Sequence, residues 1–189
     1  MIVVLEGANG VGKSTYAELL EVELGLKRCR PFKDGDANLH WGVGERAGQL
    51  YGDLIRCGIP VNTHVDDMYV ADFLRTFKVG AILDRSLPSA IAYRTLPNME
   101  CSLSDLMLLW QRMLIQAPRP LLYVWMKASH PTAKQRCKGR WFPSKAEYRR
   151  LEREFEKVFR RIGFKKMCVD TTDLKINDGI RRICQTLRH

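Results

Sequence analysis

The chain has 189 residues, 46% hydrophobic and 28% charged, the proportions of one globular domain large enough to bury a core. No apolar run approaches the roughly 20 residues that cross a bilayer. Met1 leads straight into an apolar strand pattern, so neither a membrane partner nor a signal peptide is expected. The formal net charge is +10, and residues 127–166, with 14 Lys and Arg against 4 Glu, supply an excess of that size by themselves. Such a stretch suits the phosphates of a nucleotide or of a nucleic acid. The six cysteines form no C-x-x-C pair and have no His at metal-ligand spacing, so a cytoplasmic protein without a disulfide or zinc framework is expected.

Ile2 to Leu5 reads as a buried strand, and Thr15 to Leu24 as a helix with Leu19, Leu20 and Leu24 inward. Between them, Gly7-Ala8-Asn9-Gly10-Val11-Gly12-Lys13-Ser14 fits G-x-x-x-x-G-K-[ST] without a mismatch. The glycines let backbone N–H groups curl around phosphate oxygens, and the helix N-terminus adds positive charge. Lys13 supplies a full charge to the β- and γ-phosphates, and the Ser14 hydroxyl is placed to ligate Mg²⁺. The nucleotide-binding set is therefore Gly7, Ala8, Asn9, Gly10, Val11, Gly12, Lys13, Ser14 and Thr15.

Lys27 to Phe32 follows Gly25 as a second strand, with Pro31 ending its ladder. Residues 34–44 read as a loop, Glu45 to Cys57 as a helix broken by Gly58-Ile59-Pro60, and Asp66 to Lys78 as another helix with Tyr69, Phe73 and Phe77 on one face. Val79 to Leu83 is the next buried strand and ends in Asp84-Arg85-Ser86. An acidic residue there is where a nucleotide fold places a further Mg²⁺ contact. Ser102 and Asp105 open a helix whose inner face is Leu103, Leu106, Met107, Trp110, Met113 and Leu114. Leu121 to Met126 is the fourth strand. Ser144 and Glu147 form a capping box for a long helix with Tyr148, Leu151, Phe155, Val158, Phe159 and Ile162 inward. Met167 to Asp170 is a short fifth strand, and Ile176, Ile180, Ile183 and Leu187 mark a closing helix.

This alternation predicts an α/β fold: a five-stranded parallel sheet with helices on both faces and ligands beyond the carboxyl ends of the strands. No N-K-x-D motif of a GTPase is present, and the chain is too short for a separate motor domain. Arg136 and Arg140, in KQRCKGR after the fourth strand, are cations that a closing segment can bring to a moving phosphoryl group. These features favour a kinase of small substrates.

LEGANGVGKST resembles the opening of the thymidylate kinase and deoxynucleoside kinase group of P-loop kinases, and DRSLPSAIAYR resembles the thymidylate kinase pattern DR-[YHF]-x-x-S-x-x-AY. MYVADF is similar to the helix that stacks an aromatic on the base, and VDTTDLKINDGIRRI to the final strand and helix. The resemblance implies a three-layer sandwich in a single domain, residues 1–189, with a short arginine-bearing lid at about residues 134–146. It implies Lys13, Asp84, Arg85, Arg136 and Arg140 as the catalytic set, with Ser14 and Asp84 at the metal and Arg85 also on the acceptor phosphate. It places Ser89 and Tyr93 near the nucleotide and Tyr69 on the base. Arg30, Phe32, Lys33, Asp72 and Arg75 complete the substrate set. Asn9 stands where thymidylate kinases usually have Asp, and Phe73 where they carry a base-reading Arg. Arg30 stands where deoxynucleoside kinases place a Glu as base.

A nucleoside hydroxyl needs a base, whereas a monophosphate needs cations. Arg30, Lys33 and Arg85 therefore point to a (deoxy)nucleoside monophosphate, dTMP or a related pyrimidine, phosphorylated from ATP with Mg²⁺. The alternatives are a deoxynucleoside kinase acting on the 5′-hydroxyl, a kinase acting on nucleotides within DNA, and a nucleotide-binding regulator without turnover. A homodimer is compatible with this reading, and nucleic acid is not the favoured partner.

Overall fold

The structure is a computed structural model and describes residues 1–29, 80–93, 103–116, 119–140 and 142–188. Five strands are present among them: β1 Ile2–Glu6, β2 Lys27–Cys29, β3 Ala81–Asp84, β4 Leu121–Lys127 and β5 Lys166–Asp170. They form one parallel sheet in the order β2-β3-β1-β4-β5. Central β1 is buried along its whole length, as its run of branched residues requires. The register sets Leu5 beside Asp84 and Glu6 beside Trp125, so the ends of β1, β3 and β4 open at one edge of the sheet.

The described helices are α1 Lys13–Leu24, α2 Leu87–Tyr93, α3 Leu103–Ile115, α4 His130–Arg136, α5 Lys145–Arg161 and α6 Ile176–Arg188. The pleat sorts them onto two faces. Val3, Leu5, Leu122, Val124 and Met126 share a core with Tyr16, Ala17 and Leu20 of α1 and Ile180, Ile183 and Leu187 of α6. Tyr123 and Trp125 point the other way and meet Phe159 of α5 at ring-centroid distances of 6.1 and 5.4 Å. Ser144 and Glu147 make the anticipated capping box, with Ser144 N donating to Glu147 Oε2 at 2.8 Å and Glu147 N to Ser144 Oγ at 3.3 Å.

The inward face of α1 differs from expectation. Leu20 is fully buried, but Leu19 is exposed. Neighbouring leucines stand about 100° apart on a helix, and the Tyr16–Leu20 pair, four residues apart, takes the core. On α6 the buried stripe begins at Ile180 and continues through Ile183, Cys184 and Leu187, leaving Ile176 exposed at the first turn. Helix α4 was not anticipated; Ser129 caps it and a proline sits in its first turn. Of the expected lid segment, the described residues are the end of α4, a turn over 137–140, and residues 142–146 with the start of α5. The expected loop 34–44, the helices over 45–57 and 66–78, and the cap at Ser102 lie outside the described residues. Among the described residues no helix is long and apolar enough to cross a membrane.

Candidate functional site

The phosphate-loop sequence runs from the end of β1 into α1. Gly7 and Gly10 have φ of 143° and 80°. A Cβ on Gly7 would collide with the Met126 carbonyl, and one on Gly10 with the Ala133 carbonyl, so the loop is pressed against the end of β4 and against α4. Gly12 is the N-cap of α1 and supplies no side-chain cap, which leaves the first N–H groups of the helix available to an anion. Lys13 is 6% exposed. It folds back so that Nζ donates to the carbonyls of Gly7 at 2.9 Å and Ala8 at 2.6 Å. Burial, and then the charge of Arg85, push its pKa well down, while Asp84 and Glu6 act the other way. Its head group is buried and held by two carbonyl oxygens, which offset part of the cost of burying a charge.

One cavity of about 560 Å³ opens over the loop, lined by Asn9, Gly10, Gly12, Lys13, Ser14, Thr15, Arg85, Arg136, Cys137 and Arg140. The structure thus brings together six of the expected loop residues, both expected lid arginines and the arginine after β3, while Gly7, Ala8 and Val11 are not among the residues lining the cavity. Ser14 and Thr15 are exposed on the first turn of α1. Asp84 is buried at the end of β3 and is not among the residues lining the cavity. The Ser14 hydroxyl and the Asp84 carboxylate are hard oxygen donors, a set that suits Mg²⁺, which retains waters and draws its remaining ligands from substrate phosphates.

The β1–β3 wall is a connected polar network. Arg85 has φ 76°, left-handed backbone that costs an L-residue roughly 1–2 kcal/mol. Its Nη2 donates to Asn9 Oδ1 at 2.5 Å, and its Nη1 to Ser89 Oγ at 3.0 Å and Gly7 O at 3.4 Å. The guanidinium also lies over the Tyr93 ring at 5.2 Å. Ser89 is buried on α2, and its hydroxyl donates to Glu6 Oε2. Glu6 Oε1 accepts from Ser86 N at 2.6 Å and Ser86 Oγ at 2.9 Å. Burial raises the Glu6 pKa to about 7, against the opposing pull of Ser89, Arg85, Ser86 and Lys13.

The arginines of the β4–β5 wall are more exposed. Arg136 is exposed, and its guanidinium donates to Thr171 Oγ1 at 2.9 Å and Thr171 O at 2.8 Å. The Thr171 hydroxyl also lies 3.0 Å from the Val11 carbonyl and 2.9 Å from that of Lys127, so one threonine links the loop, β4 and α4. Arg140 is exposed in the turn after α4.

Ser89 and Tyr93 stand behind Arg85 and are not among the residues lining the cavity. Arg30, Phe32, Lys33, Tyr69, Asp72 and Arg75 lie outside the described residues. Glu6, Cys137 and Thr171 are the residues in or behind the cavity that sequence reasoning missed. A signal for Glu6 existed: a carboxylate closing a wholly apolar strand needs buried partners.

No protein-family model and no curated protein sequence matches the chain. Solved structures do. YorR from Bacillus subtilis, in complex with phosphorylated GDP, superposes with a TM-score of 0.63 at 14% identity, over 100% of this chain and 96% of its own. Deoxyadenosine kinase from M. mycoides with bound dCTP gives 0.56 at 18% identity, over 100% and 99%. Thymidylate kinase from Candida albicans gives 0.53 at 16% identity, over 99% and 90%. These likenesses concern the backbone arrangement: the chain has the α/β fold of P-loop kinases, the fold that the thymidylate and deoxynucleoside kinase-like group shares.

Proposed function

We propose that the protein transfers the γ-phosphoryl group of ATP to a (deoxy)nucleoside monophosphate, dTMP or a related pyrimidine, giving the diphosphate and ADP. The observation that carries this is the convergence of Lys13, Arg85, Arg136 and Arg140 on one cavity at the mouth of the phosphate loop. In-line transfer forms a bond from the acceptor phosphate oxygen to the γ-phosphorus and breaks the bond to the β–γ bridging oxygen, which leaves on ADP. Little covalent chemistry falls to the protein, so positioning and charge carry the rate.

The loop N–H groups from Gly7 to Thr15 and Lys13 hold the donor phosphates. Arg85, against the loop at Asn9, binds the acceptor phosphate. Arg136 and Arg140 neutralise charge on the group in transit. Ser14 and Asp84 would hold Mg²⁺, which when bound draws charge from the bridging and γ-phosphate oxygens.

The reading is tested by ADP formation with ATP and Mg²⁺ against dTMP, dUMP, dCMP, thymidine and deoxycytidine. Turnover on a monophosphate is the expected result. Turnover on nucleosides alone would overturn the acceptor assignment and make Asp84 a candidate base. Phosphoryl transfer to short DNA, with none of the five accepted, would overturn it in favour of a polymer substrate.

A further inference from the structure

We propose that Glu6 is a positioning residue for the acceptor end of the site: through Ser86 and Ser89 its carboxylate holds Arg85 in the backbone and side-chain conformation that faces the phosphate loop. The inference rests on the reading of Arg85 as the acceptor-phosphate clamp.

Residues 85 and 86 are tied to consecutive residues of β1. The N–H of Arg85 donates to the Leu5 carbonyl at 3.0 Å, continuing the β1–β3 ladder by one step. The ladder then stops, because Arg85 turns to positive φ. The next N–H, of Ser86, points to the Glu6 carboxylate instead, at 2.6 Å. A side chain thus takes over where strand pairing ends, at the one described non-glycine residue with left-handed backbone. An unfavourable conformation of this kind persists when its surroundings over-determine it.

The side chain is held by the same group. Glu6 Oε2 accepts the Ser89 hydroxyl, which orients the Ser89 oxygen to accept from Arg85 Nη1 at 3.0 Å. Glu6 is 0% exposed, so it cannot touch a substrate and acts only through these intermediaries. Its chemistry fits the task. Three donors converge on it, the N–H and hydroxyl of Ser86 and the hydroxyl of Ser89, and a carboxylate has the acceptor capacity for all three. A glutamine would turn one acceptor into a donor and remove the charge that faces Arg85 and Lys13.

The test is a double-mutant cycle read in steady-state kinetics with dTMP as acceptor probe and ATP–Mg²⁺ as donor. Glu6→Gln and Ser89→Ala are each expected to raise the dTMP KM about tenfold, the scale of coupling between groups in one polar network. The ATP KM should stay within about twofold. In an Arg85→Ala background both effects should vanish, because there is no guanidinium left to aim. Equal effects in both backgrounds, or a fall in Tm with the dTMP KM unmoved, would show a structural role alone and overturn the inference. Ser89→Ala serves as the second route if Glu6→Gln does not fold, since it cuts the link while keeping the buried carboxylate. Arg85→Ala alone separates the two levels. If it leaves the dTMP KM unchanged, the clamp reading falls and this inference with it. If it raises KM while Glu6→Gln and Ser89→Ala do nothing, the clamp stands and only the role of Glu6 is refuted.

Discussion

Arg85 on one wall of the cavity and Arg136 and Arg140 on the other carry the same charge into the same space, but they are supported differently. Arg85 is half-buried and held by Asn9, Ser89 and Gly7, with the buried Glu6 behind them. Arg136 is exposed and tied at its guanidinium to Thr171, and Arg140 is exposed in a turn. A cation fixed before substrate arrives spends little reorganisation on binding, whereas an exposed one must be gathered in. The contrast supports a reading in which the β1–β3 wall holds and the β4–β5 wall closes.

Lys13→Met tests the floor that both walls share, and it should have the largest effect. Loss of one charge-stabilising donor at a phosphoryl centre is expected to lower kcat by about a thousandfold. Thermal stability should not fall, because the substitution removes a charge whose burial is unfavourable and leaves a methionine of similar length. A large drop in Tm would mean that the bonds from Nζ to Gly7 and Ala8 hold the loop together rather than wait for phosphate.

The lid arginines come next. Arg140→Ala is expected to lower kcat roughly tenfold to a hundredfold. Its effect on stability should stay within about 0.5 kcal/mol, as at an ordinary surface position. Arg136→Ala should lower kcat and also cost about 1 kcal/mol of stability, through its bonds to Thr171. If denaturant unfolding separates the two variants in this way, Arg136 both braces the wall and serves the site. If they unfold alike, the Thr171 contact contributes nothing.

The part of the site that was legible in the sequence is the part whose chemistry is local. GANGVGKS and DRS announce themselves because each needs several residue types within a few positions. The strand order then brings Arg136 and Arg140 to the same cavity, because β4 lies beside β1. Glu6 showed only as a carboxylate closing an apolar strand and Thr171 not at all, since their meaning lies in partners far away: Ser86 is 80 positions from Glu6, and Val11 is 160 from Thr171. The error at Leu19 has another cause. Leu19 and Leu20 are equally apolar, and only the packing of Tyr16 and α6 decides which of them turns inward.

Glu6 also gives the holding wall a pH signature. Arg85 and Lys13 face the carboxylate with positive charge, and the buried Tyr123 hydroxyl approaches from β4, yet burial dominates and the folded pKa lies near 7, above the ordinary 4.5. The folded state therefore binds this proton more tightly than the unfolded state. Its contribution to stability is complete below about pH 4.5 and is lost as pH rises through about 7. The Tm difference between wild type and Glu6→Gln, followed from pH 5 to pH 8, should shift steadily against the wild type. A flat difference would mean that Arg85 and Lys13 keep the carboxylate ionised throughout.

The smallest effect belongs to the closing wall and separates its scaffold from its chemistry. Ser144 and Glu147 cap α5, which follows the Arg140 turn in sequence, and both bonds of the box are solvent-exposed. Ser144→Ala should cost about 1 kcal/mol of unfolding free energy, the ordinary cost of an N-cap. The capping bonds touch neither the loop nor Thr171, so kcat and both KM values should stay at wild-type levels. A fall in kcat without a matching loss of stability would show that the start of α5 sets where Arg140 rests. The proposed closing motion would then be governed by the helix end rather than by the turn alone.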